Sequence, residues 1–264
     1  MNAELKAPTE MTPRYAAGLP RAIARGIRYA VNHRASVIDL PLDPVTAQGA
    51  PGSGGSAAER SAVAYALAHH VVLVAPAGDD GASTGAVNYP AAYRGVISVG
   101  AFNSAFTKAP FSSHQPYVTL TAAGDGVIAA NGTHGYALVS STAAASAVVA
   151  GIVALIRAQF PALSPAQVTK ALTQSTVFRP SGGQQDGSGA GTVDAAAALT
   201  AAAHMAEAVH GSSAGTHPAQ APAQPAAHAA KGMSRTEKNL GRERVWCSPA
   251  IRPLDRLEAL VRVK

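Results

Sequence analysis

The sequence predicts an α/β protein, a mostly parallel sheet with helices on both faces. Two short runs carry that expectation: Val71-Val72-Leu73-Val74-Ala75 and Val96-Ile97-Ser98-Val99. Both are nearly continuous in apolar, mostly β-branched residues, the pattern of strands covered on two sides rather than one. The third observation is that helical periods alternate with the strand-like runs, and that alternation builds a parallel sheet.

Residues 1–19 carry no clear period. From Pro20 onward, Ile23, Ile27 and Val31 recur at four-residue steps, one face of a helix with proline in its first turn. Ser36 to Leu42 follows as a strand. Residues 43–56 form a loop, with five Gly or Pro between Gly49 and Gly55. A helix from about Ala57 to His69 leads into Val71–Ala75. After Val96–Val99, Tyr117 to Leu120 reads as a further strand. A long apolar helix spans about Thr142 to Gln159 and is stopped by Pro161. Ser164-Pro165-Ala166-Gln167 opens the next one, with serine as N-cap, proline at N1 and glutamine at N3. The last helix covers about Val193 to Ala208. The expected organisation is an irregular segment 1–19, a folded unit 20–208, an Ala/Pro-rich disordered linker 209–230 and a basic tail 231–264.

The formal charge is +6, but its distribution removes the simplest interpretation. Residues 1–230 hold 12 Lys or Arg against 11 Asp or Glu, whereas residues 231–264 hold 9 against 4. Five of the six excess charges thus lie in the tail. A nucleic-acid surface needs a basic stripe on the folded part, and nucleic acid is not an expected partner. Cys247 is the only cysteine, which excludes an internal disulfide framework. No run approaches the roughly 20 apolar residues that span a bilayer. Met1 to Lys6 leads into no apolar region of signal-peptide kind, so the chain as encoded is expected in the cytoplasm.

Six segments, in one order, resemble the C-terminal two-thirds of the subtilisin-like (S8) serine peptidases, the subtilases. Ile23 to Leu42 resembles the helix and strand that follow that family's histidine motif. Val71 to Asp80 (VVLVAPAGDD) resembles the strand ending in its Ala-Gly-Asn-Asp turn. Val87 to Tyr93 with Gly95 to Ala101 is similar to its Tyr-Pro-Ala and Val-Ile-Ser-Val-Gly run. Phe111-Ser112-Ser113, Val148-Val149-Ala150-Gly151 and Gly189 to Ala195 complete the series. The resemblance covers roughly residues 20–202, is nearest the actinobacterial, mycosin-like branch, and implies a subtilisin-like sheet incomplete at its N-terminus. Members of that family are usually secreted.

The chemistry of such an enzyme needs a serine to attack, a histidine to take its proton, an aspartate to orient the histidine, and donors for the oxyanion. The family order is Asp, His, Ser. Its Asp and His motifs precede the segment matching Ile23 to Leu42. About 20 residues come before that segment here, and they contain neither His-Gly-Thr nor any Asp. Counting back from Gly151 in the family's Gly-Thr-Ser-x-Ala-x-Pro-x-Val-Ala-Gly places Ala143 at the nucleophile, with Thr142, Ser141 and Ala147 at the motif's Thr, Gly and Pro. An insertion would instead bring in Ser140, Ser141 or Ser146. A slip of one residue, however, turns a side chain by about 100° around the helix. The same resemblance puts Asp79 where the family's oxyanion Asn donates, and an ionised carboxylate only accepts. It also puts Gly78, Leu42 and Asp43 in the substrate-binding wall, where Pro41 has no N–H for peptide pairing.

No replacement base is evident. His33 and His69-His70 end helices, His114 and His134 lie in loops, and the other four of nine are in or beside the tail. No His-Glu-x-x-His spacing or cysteine cluster suggests a metal, and no cofactor is expected. Three outcomes follow: a subtilase-like chain that binds a peptide or partner without cutting, a working serine endopeptidase with a non-standard nucleophile, or a gene fragment. The first and last are favoured. Absence of the N-terminal third is expected to leave Val37–Leu42 and Val71–Ala75 without sheet neighbours. That favours oligomers, aggregates or a complementing N-terminal subtilase piece.

Overall fold

The computed structural model describes residues 13–42, 55–81, 87–131, 135–180, 187–213 and 262–263. Along the chain run α1 (Pro13–Asn32), β1 (Val37–Asp39), α2 (Ala57–Ala68), β2 (Val72–Pro76), β3 (Val96–Phe102) and β4 (Leu120–Ala123). After them come β5 (Val127–Ala130), β6 (Tyr136–Val139), α3 (Thr142–Gln159), α4 (Pro165–Gln174), α5 (Ala195–Ser213) and β7 (Arg262–Val263). The main sheet has the order β4-β3-β2-β1-β7. Its pairings β1–β2, β2–β3 and β3–β4 are all parallel. The predicted architecture is the observed one.

The apolar run of β2 explains the layers. Val72 and Val74 join one buried cluster with Val149, Val153, Ile156 and Leu172 of α3 and α4. Leu73 and Ala75 point the other way, into a cluster with Ile23, Ile27 and Val31 of α1 and Ala62, Val63 and Ala66 of α2. Each fully buried aliphatic side chain of this kind contributes roughly 1.5–3 kcal/mol. Among the described residues, α3 is the one helix long and apolar enough to cross a membrane by length and composition. Its buried face, including Val149, Ile152 and Ile156, packs on the sheet instead.

Local signals place the helix ends. Ser56 caps α2 by accepting from the Ala58 N–H at 3.2 Å. Ser141 caps α3 by accepting from the Ala144 N–H at 3.1 Å. Ser164 and Gln167 form a reciprocal capping box at α4. Three details differ from the sequence expectations. First, α1 starts seven residues before Pro20, which lies inside it. The helix gives up the one hydrogen bond that Pro20 cannot donate, and Leu19 packs on the core ahead of it. Second, the strand expected at Tyr117–Leu120 begins at Leu120. Tyr117 is used to bridge loops: its hydroxyl accepts from the Asn88 N–H at 2.9 Å and donates to the Ala77 carbonyl at 3.3 Å. Third, the β5–β6 hairpin was not foreseen, because its outward residues Ile128, Tyr136 and Leu138 are apolar and erase the alternation.

The sheet edges also differ from expectation. Strand β2 has a neighbour on each side, and β1 carries β7 antiparallel on its far edge, with Ile38 opposite Val263 and Asp39 opposite Arg262. The expected linker at 209–230 begins inside α5, which continues to Ser213; residues 214–261 lie outside the described residues.

Candidate active site

The carboxyl ends of β1 and β2 and the start of α3 meet at one end of the sheet, the edge where open α/β sheets place ligands. The segment leaving β2 is held from several sides. The Ala77 N–H donates to Val99 O at 2.9 Å, Asn88 Nδ2 donates to Pro76 O at 3.2 Å, and the Ser113 N–H donates to Gly78 O at 2.9 Å. Gly78 has φ +112°, and a Cβ there would meet Ser113 Oγ at 2.8 Å. A glycine is needed on both counts.

Asp79 follows at once, and its side chain reaches the first turn of α3. Its Oδ1 accepts from the Thr142 backbone N–H at 2.7 Å and from Thr142 Oγ1 at 2.8 Å. The Gly78 N–H in turn donates to Thr142 Oγ1 at 3.2 Å. Thr142 is fully buried. The N-terminal N–H groups of a helix lack intrahelical partners and carry partial positive charge. The Asp79 carboxylate satisfies one of them and complements the helix dipole.

Ala143 is the next residue in that turn, half-buried, and its methyl offers neither a nucleophile nor a proton carrier. The nearby serines are engaged in local structure. Ser141 is the α3 N-cap. Ser146 is fully buried and donates to Ala143 O at 3.0 Å. Ser140 donates to Asp125 Oδ1 at 2.7 Å and accepts from the Gly126 N–H at 3.0 Å. Leu42 lies just past β1, half-buried, its N–H donating to Leu40 O at 2.6 Å. Asp43 lies outside the described residues, as does His134.

The histidines sort by sheet end. His33 and His69 close α1 and α2, each with Nδ1 at 2.8 Å from the carbonyl four residues back. Both sit before the strands begin, at the end of the sheet opposite Ala143. His204 is on the exposed surface of α5, 3.8 Å from Glu207. His114 is the histidine held beside the 78–81 segment, its N–H donating to Gly81 O at 3.2 Å.

Sequence reasoning missed two relationships. Thr142 was legible as a motif residue, but its tie to Asp79 spans 63 positions and needs the tertiary fold. Glu59 looks like an ordinary first-turn acid of α2, yet it is buried and accepts from the Tyr93 hydroxyl at 2.7 Å. Burial raises the Glu59 pKa, partly opposed by the Tyr93 hydrogen bond and by the Ser56 backbone.

Comparison with known proteins identifies the family of the fold. The subtilase (peptidase S8) family model matches residues 17–195. Subtilisin DY from Bacillus licheniformis is 36% identical over 160 residues, 60% of this chain and 56% of the relative. Mycosin-1 from Mycobacterium tuberculosis is 36% identical over 115 residues, 40% of this chain and 26% of the relative. The crystal structure of MycP1 with its N-terminal propeptide removed superposes with a TM-score of 0.58 at 27% identity, covering 69% of this chain and 67% of that one. The chain belongs to the subtilase family. It spans about half the length or less of the curated relatives it matches.

Proposed function

We propose that this chain is a non-cleaving subtilase homologue, which engages a peptide or a partner through the subtilisin-like fold without hydrolysing it. The observation that carries the proposal is the start of α3. Ala143 stands at the position that the family resemblance gives to the nucleophile. Beside it, Asp79, at the position of the oxyanion donor, turns its carboxylate onto Thr142.

Acyl transfer at this place would require a hydroxyl or thiol to attack and a donor to meet the developing negative charge. A methyl group cannot do the first, and a carboxylate repels rather than donates. Loss of one oxyanion donor alone costs roughly 10²–10³ in turnover; the measured example behind that figure is a subtilisin. Both features are internal to the chain, so the proposal holds whether or not an acid and a base are supplied by another segment. A complementing chain with further strands would pair at β1 in place of β7, the mode in which an extended segment is added to a sheet edge.

The test is hydrolysis of casein and of chromogenic peptides by the purified chain. No turnover above a buffer control is expected. Turnover that disappears on Ser141→Ala or Ser146→Ala would overturn the proposal and establish a non-standard nucleophile.

A further inference from the structure

The β5–β6 hairpin reverses the usual pattern of a surface sheet. Val127, Ala129, Ala137 and Val139 point inward and are half-buried, whereas Ile128, Ala130, Tyr136 and Leu138 point outward and are exposed. An antiparallel sheet with one solvated face ordinarily turns its apolar residues to the core and polar ones to water. Here the larger apolar side chains are the outer ones: Ile128 is 71% exposed, Tyr136 80% and Leu138 76%.

The register gathers these residues into one block. Ile128 stands opposite Leu138, and Ala130 stands opposite Tyr136. Directly opposed side chains on one face of an antiparallel pair lie within reach of each other. At these exposures the three large side chains present about 500 Å², the scale at which a contiguous apolar patch marks an interaction surface. Nothing guards the patch. Residues 126–139 contain no Asp, Glu, Lys, Arg or Pro, the residues that commonly keep exposed strands from associating. The hairpin is also a sheet by itself, and among the described residues neither β5 nor β6 has a further neighbour. A two-stranded sheet gains stability when its apolar face is covered by another layer.

The missing charge selects the occupant. A face without charge offers a charged partner nothing to recognise, yet it meets its own copy without like-charge repulsion. Laid face to face about a two-fold axis, two such hairpins form two layers about 10 Å apart. The contact removes about 1,000 Å² from water over both copies, at the lower limit for a specific interface, so the pairing is concentration-dependent rather than permanent. We infer that the outward face of the β5–β6 hairpin is a self-association surface, through which two copies of this chain pair face to face. This surface is separate from the β1 edge, which β7 covers, and its use does not depend on whether the chain hydrolyses peptides.

Sedimentation velocity of the full-length chain over a range of loading concentrations is the test. A reversible monomer–dimer equilibrium is expected, without larger species. Ile128→Glu and Leu138→Glu should each weaken the dimer by about tenfold or more, since each sets a charge in the middle of the face. Tyr136→Ser, a milder change, should weaken it in the same direction while the thermal transition is kept. Tyr29→Ser removes another exposed ring, on α1 at the opposite end of the main sheet, and should leave the dimer unchanged. A monomer at every concentration, a dimer indifferent to the three hairpin variants, or an equal loss with Tyr29→Ser would overturn the inference. Open-ended growth with concentration would also overturn it, by assigning the contact to strand edges instead of the face.

Discussion

Thr142 donates its backbone N–H and its hydroxyl to one oxygen of Asp79, 63 residues earlier in the chain. This contact couples the loop after β2 to the first turn of α3. Replacing Asp79 by Ala is predicted to lower stability by about 1.5–3 kcal/mol, the range for hydrogen bonds to a charged group. Asp79→Asn keeps an acceptor oxygen but loses the charge at the helix N-terminus, so a smaller loss of about 0.3–1 kcal/mol is expected. Urea denaturation checks both. Changes within about 0.5 kcal/mol for Asp79→Ala would mark a solvated polar turn instead.

Gly78→Ala should cost more than a surface substitution. The residue must hold φ +112° and its new methyl would lie 2.8 Å from Ser113 Oγ. A loss of about 1–3 kcal/mol is expected from backbone strain of this kind, read from the shift in denaturation midpoint at constant slope. An unchanged midpoint would mean that the β2 exit relaxes freely.

The sheet and most helix ends were legible because their signals are local. Val71–Ala75 and Val96–Val99 need no partner to announce a buried strand, and Ser164-Pro165-Ala166-Gln167 announces its own cap. The order of motifs drew attention to Ala143 and Asp79. What Asp79 contacts was not legible, since its partner is brought in only by the crossover from β4 through the hairpin to α3. The hairpin itself was hidden by Ile128, Tyr136 and Leu138, apolar side chains on its outward face. The same limit hid the Glu59–Tyr93 pair, assembled from α2 and a turn 34 positions away.

Glu59 gives the protein a specific pH signature. Burial raises its pKa above the ordinary 4.5. Between 4.5 and the raised value, the folded protein holds more protons at this site than the unfolded chain, so the contribution of Glu59 to stability falls as pH rises through that window. Glu59→Gln mimics the protonated form. Relative to this variant, the wild type should be similar below pH 4.5 and progressively less stable above it. Denaturation of both proteins across that range checks the sign; a difference that does not move with pH would contradict it.

Residues 214–264 are predicted to be dispensable for the core but not for its solution behaviour. Deleting them removes only the β7 pairing to Ile38 and Asp39 among the described contacts. Stability should change by less than about 2 kcal/mol, with helix and strand content by circular dichroism kept within residues 13–213. The bared β1 edge should then shift elution in size-exclusion chromatography towards larger species, since an open strand edge is a template for association. A larger loss of stability would make the tail a packed structural arm.

Labelling with a fluorophosphonate probe tests most directly whether a nucleophile exists at the start of α3. The probe reports an activated serine without requiring any particular peptide substrate, so a poorly chosen substrate cannot mask activity. The purified chain is predicted to remain unlabelled, because Ala143 has no hydroxyl and Ser141 and Ser146 are engaged in the helix. Covalent labelling that is abolished by Ser141→Ala or Ser146→Ala would contradict the proposal and make this chain a working serine hydrolase.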